Sequence, residues 1–456
     1  MAEVVGAAAL AACLRPAVAQ VTDLSTRPGE DWPAFLGPGG DGRSSLVPLA
    51  TDWSRSGPAI AWHVEMGEGY GPPAVALGRV LVFDRVGPQT RLRALALDTG
   101  RLLWQQTAPS AYVDMFGYDG GPRAAPVISD DAVISYDPEG RLTCRSLSDG
   151  ALRWEVDTAA RYHVVANFFG VGSAPLVTGV AGDRQVIVVV GGSPPGSRPT
   201  APDRLDTVRG LDSGLVAFDI ATGEERWRAS GELASYSSPL LARIDGHDRI
   251  VAWMRDRLLL VDPRNGAVLD GIRYRADELF SVNAANPVVV GNEILLSETY
   301  GPGSALIDAA GDRLQVVRQD PDNARPPRAL RSHWGTPVHH QGHVYGSSGR
   351  HAGDARLVCA DWKTGAVTWS EPGLGRAGVV FADGHLVVLG EYGDLLLVRA
   401  TPTRYEEVAR ARLRSDAPDT KGMELLVPPC WAAPVIARGW LLVRGRGRLV
   451  CVDLTR

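Results

Sequence analysis

The sequence predicts an all-β fold: an eight-bladed β-propeller whose ring is closed by an N-terminal strand. Three observations predict it. A short phrase ending in Trp recurs down the chain, a strand-opening signal appears eight times, and the last unit lacks its fourth strand. Self-similarity at a period of roughly 50 residues, with four short β-rich runs per unit, is the pattern of propeller blades.

In the recurring phrase an apolar run reaches an Asp, turns at Gly, and lands on Trp four residues later. It reads Leu95 to Gly100 then Trp104, Ser146 to Gly150 then Trp154, Ala217 to Gly223 then Trp227, and Cys359 to Gly365 then Trp369. A degenerate copy, Val261 to Gly266, carries Asp270 in the Trp slot. The expected role of these rings is docking one blade on the next, each burying a large apolar surface. Stacking of nucleotide bases is the weaker reading, because the spacing is structural and the chain is acidic.

Each unit opens on a small residue and Pro, followed by an apolar run. The openings are Pro72-Pro73-Ala74, Ala125-Pro126, Ala174-Pro175, Ser238-Pro239, Asn286-Pro287, Thr336-Pro337, the Pro-less Gly378-Val379 and Ala433-Pro434. A second apolar run follows each after a polar turn, the third carries the Leu-to-Asp pattern, and the fourth carries the Trp. The last unit stops at Val452-Asp453-Leu454. An unassigned strand, Pro58 to Val64, holds Trp62 at the docking spacing. Pairing it with the last unit removes an exposed edge.

Composition fits this class and excludes others. Of 456 residues, 45% are hydrophobic and 22% charged, while 52 Gly and 32 Pro supply many tight turns. Lys and Arg number 47 against 52 Asp and Glu, a net charge of −5, which gives no basic surface for nucleic acid. No apolar run of about 18 residues is present, so no transmembrane helix is expected.

Residues 1–20 read as a targeting segment. Val4 to Ala12 is apolar, and Ala17-Val18-Ala19 before Gln20 reads as a cleavage site. Leu10-Ala11-Ala12-Cys13 has the form of a lipoprotein box, making Cys13 the lipidation candidate. Residues 21–57 form a lead-in, and 58–456 the propeller. The expected location is the periplasm, or the cell envelope as an anchored protein. Cys144, Cys359 and Cys451 share one slot in the third strand of their units, too far apart to be bridged. They read as small core residues.

Two segments break the rhythm, Ser193 to Leu211 and Pro321 to Arg331. Long loops on a rigid scaffold often carry function, and flexible filler is the alternative.

The blade motifs resemble the pyrroloquinoline-quinone (PQQ) repeat family of quinoprotein-like propellers. The lead-in Asp31-Trp32-Pro33-Ala34-Phe35-Leu36-Gly37-Pro38-Gly39-Gly40-Asp41-Gly42 is similar to that of exported, planctomycete-type bacterial members. So are Gly335 to Val338, Tyr345 to His351, Glu371 to Leu374, Ala382 to Gly384, Gly390 to Gly393 and Cys430 to Val435. The resemblance implies either a dehydrogenase using PQQ with calcium on an alcohol or sugar, or a non-enzymatic propeller such as the lipoprotein of the outer-membrane assembly machinery. Those enzymes stack the quinone on a disulfide between adjacent cysteines, and the chain has no Cys-Cys pair and no Cys-x-x-Cys-His haem site. Asp114, Asp119, Glu298 and Glu391 fall near the expected mouth without the spacing of a calcium set. The expectation is therefore a monomeric binding or assembly scaffold, with no cofactor and no catalytic residue, whose partner is a protein or small polar ligand of the envelope. The quinone-dependent oxidoreductase is the alternative.

In a propeller the innermost strand starts on the funnel side. Residues before each opening then line the mouth: Tyr70, Arg123, Asn167, Phe168, Tyr236, Asn283, His333 and Trp334. The loops between second and third strands add Tyr300, Arg350, His351, Glu391 and Tyr392. The expected binding set is His333, Trp334, Arg350, His351, Glu391, Tyr300, Arg123 and Tyr236, suited to a polar or anionic ligand or a peptide. His333 and Trp334 merely packing a blade edge is the bland alternative. His339, His340 and His343 lie at the opposite end of their blade, and strand alternation does not gather them into one metal shell. No Gly-x-Ser-x-Gly elbow is present for a catalytic triad.

Overall fold

Alternating apolar runs that bury both faces, separated by Gly and Asp turns, fold into short antiparallel sheets arranged in a ring. The computed structural model describes residues 21–53, 57–199, 205–278, 280–321 and 329–455. Among these residues there are eight sheets, seven of four strands and one of five. They are numbered here as blades 1 to 8 in chain order. Their innermost strands are Ala74–Ala76, Val127–Ser129, Leu176–Val180, Leu240–Ile244, Val288–Val290, Val338–His340, Gly378–Ala382 and Val435–Ala437. The outermost strand of blade 8 is Ala59–Glu65, paired antiparallel with Arg448–Asp453. Helix is almost absent; one five-residue turn of it, Thr158–Tyr162, follows blade 2. The proposed targeting segment, with Cys13, lies outside the described residues, as do parts of both irregular segments.

The docking role of the recurring Trp is visible atom by atom. Trp62, Trp104, Trp154, Trp227 and Trp369 are all buried. Each indole N–H donates to a backbone carbonyl of the next blade: Leu97, Leu147, Ile220, Pro263 and Thr401, at 2.8–3.1 Å. For four of the five, the Gly of the phrase in that next blade faces the ring. A Cβ on Gly100, Gly150, Gly223 or Gly266 would sit 2.7, 2.7, 2.7 or 2.4 Å from Trp62, Trp104, Trp154 or Trp227. Opposite each Trp in the register stands a small residue: Cys451, Ala94, Cys144, Ala217 or Cys359. Three of the cysteines thus make room for indole rings, and Cys144, Cys359, Cys430 and Cys451 are buried free thiols. In the degenerate blade 4, Asp270 replaces the ring by accepting the Leu314 N–H of blade 5 at 2.8 Å. The core is therefore a chain of interfaces, each apolar cluster shared by neighbouring blades.

The lead-in does not lie outside the ring. Trp32 exchanges both backbone hydrogen bonds with Val75 of blade 1, at 2.8 Å each, and the Pro33 carbonyl accepts from Ile128 of blade 2. The chain then turns back and adds Arg43–Ser44 as a fifth strand, parallel to the innermost strand of blade 7. Residues 32–44 form a hairpin inside the central channel.

Candidate functional site

The funnel side is assembled from the loops that lead into each innermost strand. They enclose a cavity of about 390 Å³, within the usual range for small-ligand sites. Its neck is ringed by the small residues that precede the opening prolines, among them Ala125, Ala174, Ser238, Thr336 and Ala433. Small side chains fit there because eight strands converge on one axis.

Above the neck the walls are aromatic. Trp334 packs between His333 (4.3 Å between centroids, tilted) and Trp431 (4.9 Å, edge-on), and Trp431 meets Tyr70 at 4.8 Å. Across the mouth, Phe169 contacts Tyr236 at 5.5 Å, and Phe168 contacts Phe280 at 5.5 Å. Cations are held against these rings. Arg376 lies 4.6 Å from Trp334 and 5.0 Å from Trp431, Arg350 lies 4.5 Å from Tyr300, and Arg123 lies 5.3 Å from Phe169. Such contacts strengthen where water is excluded.

Among the described residues no Asp or Glu lines the cavity. The nearby carboxylates are held in internal bonds. Asp114 pairs with Arg123 at 2.5 Å and accepts the Phe116 and Tyr118 N–H groups. Asp119 accepts the Gly121 N–H at 2.7 Å. Glu298 accepts N–H groups of Tyr300, Gly301 and Gly303, shaping the loop that carries Tyr300; burial raises its pKa against those three donors. Glu391 is buried beneath Arg376, which donates to it from Nε at 3.0 Å, from Nη2, and from its backbone N–H at 2.9 Å. The Trp431 indole adds a bond at 2.9 Å. Burial opposes ionisation of Glu391, but these donors outweigh it and hold its pKa below the usual value.

His333 Nε2 and the Tyr300 hydroxyl share a hydrogen bond at 2.9 Å. Enclosure, then Arg376 and Arg350, push its pKa down to about 3, so the ring is neutral near pH 7. Burial lifts the Tyr300 hydroxyl to about 12, keeping it protonated. Arg350 pairs at 3.2 Å with the exposed Glu278, and His351 is exposed at the rim.

Of the expected binding set, His333, Trp334, Arg350, His351, Tyr300, Arg123 and Tyr236 line this cavity. Glu391 does not. Arg376, close by in the preceding loop, captures it, while Arg350 pairs with Glu278. Asn283 is withdrawn into the wall, donating to the Met254 and Arg255 carbonyls, and Asn167 and Tyr392 are not lining residues. Arg376 and Trp431 were missed although both precede a strand opening, the same signal that selects His333. Phe116, Tyr118, Phe280, Phe35 and Leu36 also line the cavity. The two from the lead-in carry no blade-phase signal. His339 packs edge-on against Trp362 and His340 tilts over Phe381, away from the cavity lining.

Eight blades, five of them docked on the next by a Trp, define a PQQ-repeat β-propeller. The family model described as "Outer membrane protein assembly factor BamB" matches residues 44–193 and 88–371, and the chain belongs to this family. BamB from Moraxella catarrhalis is similar in structure, with a TM-score of 0.58 at 15% identity over 87% of this chain and 98% of that one. The quinohemoprotein alcohol dehydrogenase ADHIIG from Pseudomonas putida HK5 gives a TM-score of 0.50 at 14% identity, over 94% of this chain and 81% of the other. A europium-containing methanol dehydrogenase gives 0.50 at 12%, over 93% and 91%. At these identities the likeness is one of fold. No curated protein matches the sequence.

Proposed function

We propose that this chain is a monomeric binding or assembly propeller of the cell envelope. It performs no chemistry and engages a polar or anionic group of a partner or ligand at the funnel mouth. Its envelope placement rests on the family description and on residues 1–20 as an export segment, with Cys13 as the alternative point of lipid attachment.

The observation that carries this reading is the state of the carboxylates. A quinone dehydrogenase needs a cation held by oxygen ligands and a carboxylate base facing the quinone. Here Asp114, Asp119, Glu298 and Glu391 are all engaged as internal acceptors. Among the described residues no three His, Cys, Asp or Glu side chains are placed to share a metal ion. The residues around the cavity do not fit calcium-held PQQ. What they offer is a wall of mutually tilted aromatic rings and, at the rim, the Arg350 guanidinium, which gives one nitrogen to Glu278, a donor type matched to carboxylates and phosphates.

The test is the double variant Arg350→Ala/His351→Ala in the full chain. It should lose the partners that the tagged wild type captures from the source envelope. Its melting temperature should stay within about 2 °C, because rim substitutions cost little. A variant that captures the same partners, or melts far lower, places the site elsewhere.

A further inference from the structure

The channel hairpin adds a part to this site that the blades do not supply. Its tip residues Phe35 and Leu36 line the funnel cavity from below. The tip is held from several sides. Gly42 donates to the Leu36 carbonyl at 2.9 Å, and its own carbonyl accepts the Phe381 N–H of blade 7 at 2.9 Å. Arg43 donates to the His339 carbonyl of blade 6 at 2.6 Å, and Trp32 is anchored on blade 1. Leu36 is held at φ +63, a left-handed conformation unfavourable for a non-glycine residue, so the surrounding bonds impose this turn. A Cβ on Gly37 would lie 3.0 Å from the Trp32 ring, and one on Gly42 3.0 Å from Val338. The tip is wedged in place and offers an apolar floor of fixed height.

We propose that Phe35 and Leu36 set the depth of the funnel site, and that the site takes an aromatic acid. Its ring descends between the aromatic walls onto that floor, and its acid group stays at the rim by Arg350 and His351. This rests on the binding reading above. The polarity of the cavity orients the ligand: Phe35, Leu36, Phe168 and Val282 are apolar, the cations sit at the loops above, no carboxylate is among the described lining residues, and Arg350 gives one nitrogen to the exposed Glu278 outside the cavity.

The probes are benzoate, naphthalene-2-carboxylate, anthracene-2-carboxylate and the neutral naphthalene-2-carboxamide. Each is titrated calorimetrically into the full wild-type chain and into Phe35→Ala. Wild type should bind the naphthalene acid more tightly than its amide. Phe35→Ala should shift the anthracene-to-benzoate affinity ratio upward by about tenfold, the scale on which a pocket resolves a small change in fit. If Phe35→Ala does not fold, Phe35→Leu, which also shortens the floor, should shift the ratio in the same direction. An unchanged ratio in a folded variant that still binds the acids overturns the role of the hairpin. A wild type that binds the amide as well as the acid, or neither, overturns the anion-binding reading itself.

Discussion

Glu391 and His333 show how the funnel fixes its own charges. Glu391 is held ionised beneath Arg376, and among the described residues each is the other's ion-pair partner. Glu391→Gln should therefore cost about 3 kcal/mol of unfolding free energy, the scale for breaking a buried pair, read by urea denaturation. His333 is the reverse case. Its folded pKa, about 3, lies below the ordinary 6.5, so the folded state resists a proton that the unfolded chain accepts. The stability it supports is present above pH 6.5 and is lost as pH falls toward 3. The slope is at most about 1.4 kcal/mol per pH unit. His333→Asn should flatten the fall in stability between pH 6.5 and 4.5 by that one-proton slope; an identical pH profile would show that the ring protonates freely in the fold.

The docked Trp is the unit that builds the ring. Trp104→Ala empties the contact with Gly150 and frees the Leu147 carbonyl. A loss of about 3–5 kcal/mol is expected, as for other large core truncations. Gly150→Ala attacks the same joint from the other side, since its φ is +73 and its new methyl would press on the Trp104 ring. In a double-mutant cycle the two losses should not add, because they break one contact; additive losses would separate ring from turn. This element was legible in the sequence because the antiparallel register fixes both the Trp slot and the small residue opposite it. The funnel set was legible for the same reason: residues before an opening strand must sit at the mouth. The side-chain pairing there was not, since whether Glu391 meets Arg350 or Arg376 depends on loop paths with no periodicity. The channel hairpin was equally hidden, because its only regular strand, Arg43–Ser44, is two residues long.

At the scale of the whole molecule, the sequence predicts closure of the ring by residues 58–64, and the pairing of Ala59–Glu65 with Arg448–Asp453 shows it. A chain starting at Met66 would leave that edge open and remove Trp62 from Gly100, so it should aggregate or unfold without a cooperative transition, whereas the full chain should melt as one unit. The channel hairpin, the aromatic walls and the internally bonded carboxylates are the features on which the proposed binding role rests. The direct measurement is a titration of the full chain with PQQ and calcium, following quinone absorbance and dye-linked oxidation of alcohols and sugars. The account predicts no stoichiometric quinone complex and no turnover above the protein-free control. A one-to-one complex that oxidises an alcohol would contradict it.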